Sequence, residues 1–248
     1  MHSALAHERP VSAALPHPIV TVLSWVVVLA PALFLLVFAL HFRSFGAFFD
    51  FKLETTPRFP APEVYVSALI AAGSRAPLLH EPHMIAYLSL PLSLLATLAL
   101  YVVGRDARPL ASACTLAVSL TGFVFMGGLF GIWSVLFRGF GGIDPRDAVG
   151  ATAAWRALTA PGGALGVTTT LAKLAIIGQG LQALCLLGTR AIPAWASIVA
   201  ALGWSIITVF WDIDNWMFVG DFLVLLAMTQ VCARLLAMRA GVVETRAS

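Results

Sequence analysis

Along this chain, apolar stretches long enough to cross a membrane are separated by polar segments. Six apolar stretches of about 20 residues can each cross a hydrocarbon core about 30 Å thick. They are Ile19–Phe42, Met84–Val103, Leu110–Phe137, Val167–Leu187, Ala191–Trp211 and Trp216–Leu236. Backbone polar groups in lipid must be paired within their own segment, so these stretches predict helices. The pattern therefore predicts an all-α fold, a polytopic integral membrane helix bundle of about six transmembrane helices.

The polar segments divide the chain into a membrane domain and two tails. We expect residues 1–18 to form a disordered cytosolic tail, residues 19–238 the transmembrane domain and residues 239–248 a second cytosolic tail. Residues 43–83 and 138–166 are long for connections, and we expect both on the outer side.

Each long connection contains one apolar-rich stretch that is too short to span a membrane. Glu63–Ala72 and Asp147–Leu158 predict short helices that lie on the membrane surface. Tyr65 and Trp155 would then sit at the level of the lipid headgroups.

Composition and charge support this picture and indicate an orientation. The chain is 60% hydrophobic and 11% charged, against about 25% charged in soluble domains. Lys and Arg divide evenly between the two sides, but the short loops Gly104–Pro109 and Gly188–Arg190 are basic and Asp212–Asn215 is acidic. The positive-inside rule then places both termini in the cytosol, in a multi-pass protein of the inner membrane.

The expected partners follow from the same distribution of charge. The lipid bilayer is the first, with other membrane subunits or a small-molecule ligand as further candidates. No Lys/Arg cluster of the kind that binds nucleic acid occurs in the sequence, so we expect no nucleic acid.

Two charged residues inside the predicted spans are the most informative feature. Lys173 lies six residues after Val167, and Asp221 lies five residues after Trp216. At about 1.5 Å per residue, both would lie roughly 8–9 Å below the outer ends of their helices. We therefore expect the fourth and sixth spans to be neighbours, with Lys173 and Asp221 paired directly or through one water.

Other polar residues extend this pair into a predicted pocket under the outer face. Gln179, Gln182 and Thr170 share the fourth span with Lys173. Ionisable groups inside a membrane indicate a proton relay, a polar cavity or an ion site. The sequence supports a structural ion pair equally well, because the cost of burial alone explains pairing.

A second candidate site is a metal centre at the outer face. Histidine with carboxylate is a suitable donor set for zinc, copper or iron. No motif such as H-E-x-x-H fixes two ligands on one helical face, and interfacial His and turn Asp residues are common without a metal. The candidate ligands, all expected near one membrane level, are His41, His80, His83, Asp212 and Asp214.

One part of the chain resembles known proteins of undefined role. Ala191–Gly203 reads AIPAWASIVAALG and combines a short basic loop, Pro-x-Trp and a helix of small residues. With the helix before the second span, it resembles small polytopic bacterial membrane proteins of unknown function. The resemblance covers roughly a third of the chain at most and carries no catalytic residue. It implies a bacterial membrane protein and names no cofactor.

Three classes of function remain open from the sequence. The first is binding or transport of a small molecule or ion in the polar pocket. The second is a metal-dependent oxidoreductase or hydrolase at the outer face, and the third is a structural subunit of a larger membrane complex. No G-x-S-x-G motif or histidine inside a span supports nucleophilic catalysis, so whether the protein is an enzyme stays undecided.

The orientation gives a first testable prediction. A topology reporter fused after Ser248 should report the cytosol, and one inserted within Arg138–Gly166 should report the outer side. The positive-inside rule gives the direction, and reporter activity in intact cells measures it. The reverse pattern would show that the long loops lie in the cytosol.

Overall fold

The computed structural model describes residues 16–42, 48–49, 61–73, 77–140, 142–160, 162–211 and 213–240. The described chain is helical apart from its turns, and these residues contain no strand. The predicted all-α class is confirmed. Most of the predicted tails, residues 1–15 and 241–248, lie outside the described residues.

Eight α-helices and one short 3-10 helix, Pro145–Asp147, make up the described fold. The α-helices are α1 (His17–His41), α2 (Pro62–Gly73), α3 (Pro77–Gly104), α4 (Pro109–Phe140), α5 (Ala148–Thr159), α6 (Ala164–Leu186), α7 (Ala194–Val209) and α8 (Asp214–Arg239).

The apolar helices match the predicted spans, with one of them shorter than expected. Helices α1, α3, α4, α6 and α8 are long and apolar enough to cross a membrane. Helix α7 is apolar but has 16 residues, which gives a length of about 24 Å. Five helices of spanning length and one short apolar helix therefore stand where six spans are predicted.

The six long or apolar helices form a closed ring. In the order α1, α3, α4, α6, α7, α8, each packs against the next, and α8 returns to α1. Helix α3 also reaches across the ring to α6 and α8. The expectation that the fourth and sixth spans are direct neighbours is wrong, because α7 lies between α6 and α8.

Glycine sets the closest approaches between helices of the ring. A Cβ atom on Gly122 of α4 would collide with the backbone of Ala175 in α6, and one on Gly178 of α6 would collide with Ser119. Small residues let helix backbones approach closely in this way. The other glycines of the Gly-rich α4, Gly127, Gly128 and Gly131, would make only ordinary contacts.

Helices α7 and α8 approach in the same manner. A Cβ atom on Gly220 would lie 2.8 Å from the carbonyl oxygen of Gly203, and a Cβ atom on Gly203 would collide with the Gly220 carbonyl. No residue larger than glycine fits either position without moving a helix.

The two short helices predicted in the long connections are present, as α2 and α5, and they pack against one another. Arg156 of α5 forms an ion pair with Glu63 of α2. We call this side of the bundle, where α2 and α5 lie, the loop end. Trp155 is buried against Trp133 and Phe140 rather than exposed on the helix surface, and the side chain of Tyr65 lies outside the described set.

The turn before α5 is held by one local ion pair. Arg146 donates from its side chain and its backbone N–H to the Asp144 carboxylate, and these hydrogen bonds lower the pKa of Asp144 below its usual value.

Close packing of α4 on α6 gives a stability prediction. Gly122→Ala should destabilise the protein by about 1–3 kcal/mol, the usual cost of overpacking. The new Cβ would collide with backbone atoms of α6, which cannot move aside as a flexible side chain could. For a chain of this size the thermal midpoint should fall by roughly 2–12 °C. Thermal unfolding in a mild detergent measures the shift.

Gly127→Ala is the matched control on the same helix. Its Cβ would lie 3.9 Å from the nearest atom, so the midpoint should stay the same or rise slightly. Equal effects of the two substitutions would contradict the packing of α4 on α6.

Candidate binding cavity

A cavity of about 120 Å³ lies inside the ring, and all six ring helices contribute to its wall. On α1 the lining runs from Val27 to His41, and on α8 from Asp214 to Met228. Fourteen residues of helix correspond to about 21 Å, so the cavity is long and narrow. One end of it lies at the loop end, where α1 finishes and α8 begins.

Most of the wall is apolar, and much of it is aromatic. The aromatic contribution comes from three helices and from the turn after α7. The side chains are Phe34, Phe38, Phe123, Phe130, Trp204 and Trp211. An apolar pocket with few polar groups is the usual form of a small-molecule site.

Asp221 is the exceptional group in this wall. Its residue is 2% exposed, and its Oδ2 atom has no hydrogen-bond partner. The backbone N–H of Leu35, one turn beyond Pro31 in α1, interacts with the carboxyl group. Most buried polar atoms in proteins have a hydrogen-bond partner, so this oxygen is an unpaired acceptor at the cavity wall.

The glycine contact between α7 and α8 explains why Asp221 reaches the cavity. Trp204 and Asp221 each directly follow one of the two touching glycines, Gly203 and Gly220. Both side chains line the cavity, and the Nε1 atom of Trp204 also has no partner. A free donor and a free acceptor therefore stand on adjacent helices at one wall.

Gln179 supplies a third polar group, from α6. Its Nε2 donates to the hydroxyl oxygen of Thr97 in α3 at 2.7 Å, and Thr97 in turn donates to the carbonyl of Ser93. These bonds link α6 to α3 across the ring and hold the amide at the cavity wall.

Two histidines and a carboxylate occupy the loop end of the cavity. The ring centroids of His41 and His83 are 5.2 Å apart, in an edge-to-face arrangement. The Nδ1 of His41 donates to the carbonyl of Val37 at 2.8 Å and lies 4.0 Å from the Asp214 carboxylate. His83 is 6.2 Å from Trp133 of α4, and Trp133 is 5.6 Å from Trp155 of α5, measured between ring centroids, so aromatic contacts connect this end to α5.

Lys173 does not pair with Asp221. Its Nζ lies over the ring of Trp211, 5.7 Å from the centroid, and it makes no ion pair with any described carboxylate. A lysine inside a helix can extend its chain towards the membrane surface, and Trp211 marks that direction here. The expected direct salt bridge is absent because its two helices are separated by α7.

The other two predicted pocket residues are placed outside the cavity. Thr170 is exposed, and its hydroxyl donates to the carbonyl of Gly166 in its own helix. Gln182 is buried with both amide atoms unpaired, but it does not line the cavity. Of the five residues, Asp221 and Gln179 therefore share one wall, and Lys173 contacts it through Trp211.

Three of the five candidate metal ligands come to the same end of the cavity, namely His41, His83 and Asp214. The side chain of His80 and all of Asp212 lie outside the described residues. Within the described part of the chain, no group of three His, Cys, Asp or Glu side chains is arranged to hold a metal ion.

Sequence reasoning missed the aromatic wall and the placement of Trp204 and Asp221 in the lining of one cavity. A usable signal was present, since each of the two residues follows a glycine in a helix that faces the other. Comparison with protein-family models, with curated proteins and with solved structures gives no match for this chain.

The environment of Lys173 gives a prediction about pairwise coupling. In a double-mutant cycle, Lys173→Met and Trp211→Leu should couple by about 0.5–2 kcal/mol, the range of a cation–π contact. Lys173→Met and Asp221→Asn should add to within about 0.5 kcal/mol, because the two groups share no bond. Thermal unfolding in detergent measures both cycles.

Coupling between Lys173 and Asp221 larger than that to Trp211 would contradict this arrangement. That result would instead support the direct ion pair between Lys173 and Asp221 that the sequence predicts.

Proposed function

We propose that this membrane protein binds a small molecule in the cavity inside its helix ring and acts as a binding or transport-type protein. The single observation that carries the proposal is Asp221, a buried carboxyl group with a free oxygen in a mostly apolar cavity. Intramembrane carboxyl groups are costly, which favours a functional role where no partner explains them.

The position of the cavity supports a site that communicates with one side of the membrane. His41, His83 and Asp214 bring polar groups to the loop end, whereas the far end is lined by apolar side chains such as Val27, Leu100 and Met228. We infer that a ligand enters from the loop end, which lies outside the cytosol in the inner-membrane orientation that the loop charges favour.

Asp221 also fits poorly with a purely structural role. A structural carboxyl group in a membrane should pair with a cation or with several hydrogen-bond donors. Asp221 has the Leu35 N–H on one side and an unpaired oxygen on the other. Asp221 therefore has fewer partners than a structural carboxyl group needs.

Filling the cavity should remove the ligand. Ile176 is 7% exposed and lines the cavity, and Ile176→Trp places a large side chain inside it. Native mass spectrometry of the protein, purified in mild detergent and released in the gas phase, should detect a bound small molecule in the wild type and not in this variant.

Ile177→Trp is the matched control, since Ile177 is the next residue and is exposed on the outside of the bundle. That variant should retain the ligand. Retention by both variants would contradict binding in the cavity. A stoichiometric metal in elemental analysis would instead favour the metal-dependent enzyme, and a second polypeptide without any small molecule would favour the structural subunit.

A further inference from the structure

We propose that the ligand of the central cavity is a small organic cation, an ammonium group carried on an apolar body about the size of a benzene ring. This inference rests on the proposed function and adds the chemical class of the ligand.

The charges of the cavity wall are the first argument. Asp214 and Asp221 both line the cavity, and none of the described lining residues is a Lys or an Arg. The one lysine nearby, Lys173, holds its ammonium over Trp211 and forms no ion pair with Asp221. A cation in the cavity would supply the opposite charge that these carboxylates lack.

The two carboxylates are not equivalent. Asp214 has the Nδ1 atom of His41 within 4.0 Å of its carboxylate. Asp221 lies seven residues further into α8, about two turns, where no cationic side chain is within ion-pairing distance among the described residues. The ammonium group therefore belongs at Asp221, and the free Oδ2 atom is its acceptor.

The aromatic side chains around this carboxyl group fit the rest of such a ligand. Trp204 of α7 and Phe34 and Phe38 of α1 line the same cavity as Asp221. Aromatic faces attract cations and also bury the apolar body of the ligand. A cavity of about 120 Å³ is close to the roughly 150 Å³ cavity that accepts benzene in an engineered protein.

An inorganic cation fits less well. Sodium, potassium and calcium need several oxygen ligands around one point. The side-chain oxygen atoms of this wall are spread along the cavity over Asp214, Asp221, Gln179 and Ser93 on three different helices, and mostly apolar side chains occupy the rest of the wall.

A neutral ligand is the competing possibility, because the free Nε1 of Trp204 needs an acceptor that an ammonium group does not provide. A hydroxyl group could accept from Trp204 and donate to Asp221. In the ammonium complex, a water molecule would bridge from Trp204 instead.

Benzylammonium and benzyl alcohol separate the two possibilities, since they differ in charge and hardly in size. Both are titrated into the full-length protein in a non-ionic detergent, with calorimetry and the thermal midpoint as readouts. Benzylammonium should bind saturably and raise the midpoint, and benzyl alcohol at the same concentration should not. Asp221→Asn should weaken benzylammonium binding at least roughly tenfold, as expected for a charged hydrogen bond.

Asp147→Asn is the control, because it makes the same change at an exposed carboxylate before α5. The affinity of this variant for benzylammonium should match that of the wild type. If Asp221→Asn does not fold, Asp221→Ser tests the same point, and the comparison of the two ligands on the wild type stands without any variant.

If benzyl alcohol binds as tightly as benzylammonium, the proposal that the ligand is a cation is wrong, although the cavity would remain a binding site. Unchanged benzylammonium affinity in Asp221→Asn, or a midpoint raised by sodium chloride alone, would also overturn that proposal. The proposed function fails separately, if cavity filling at Ile176 leaves a co-purified molecule in place.

Discussion

The backbone contact between Gly203 and Gly220 is the constraint on which the rest of the structure depends. Helix α8 is the last member of the ring, and it must touch α7 on one side and α1 on the other. Because neither glycine carries a side chain, α7 and α8 meet at backbone distance. The residues that follow the two glycines, Trp204 and Asp221, are then forced to the inner wall. Ring closure and the polar site therefore have one cause.

The sequence predicts the elements of this fold well, because each span is a long apolar run whose length the bilayer dictates. The surface helices in the loops are predicted for the same reason, as apolar stretches too short to cross. The order of the helices around the ring is a different matter. It depends on which glycines face each other, and in α4 only Gly122 among the four central glycines does so closely. Composition does not distinguish them.

The prediction of a direct ion pair between Lys173 and Asp221 is wrong for the same reason, the order of the helices around the ring. Equal depth along two helices is a condition for pairing, but it does not make the helices adjacent. Lys173 has a long flexible chain and can reach Trp211, whereas the short side chain of Asp221 must stay where its backbone lies. Of the predicted pocket residues, Asp221 and Gln179 line the cavity, and Lys173 lies over Trp211 instead of forming an ion pair with Asp221.

Asp221 shows how stability and function can be separated in such a protein. An unpaired carboxyl group inside a membrane helix costs up to about 2.5–3.5 kcal/mol on insertion scales, the value for the helix centre. Here the surrounding ring is closed by glycine contacts and by the hydrogen bond from Gln179 to Thr97, neither of which involves Asp221. The bundle can therefore tolerate the buried acid without using it for packing. Asp221 thus lies in the cavity lining with an unpaired oxygen, which is where we propose that a ligand binds.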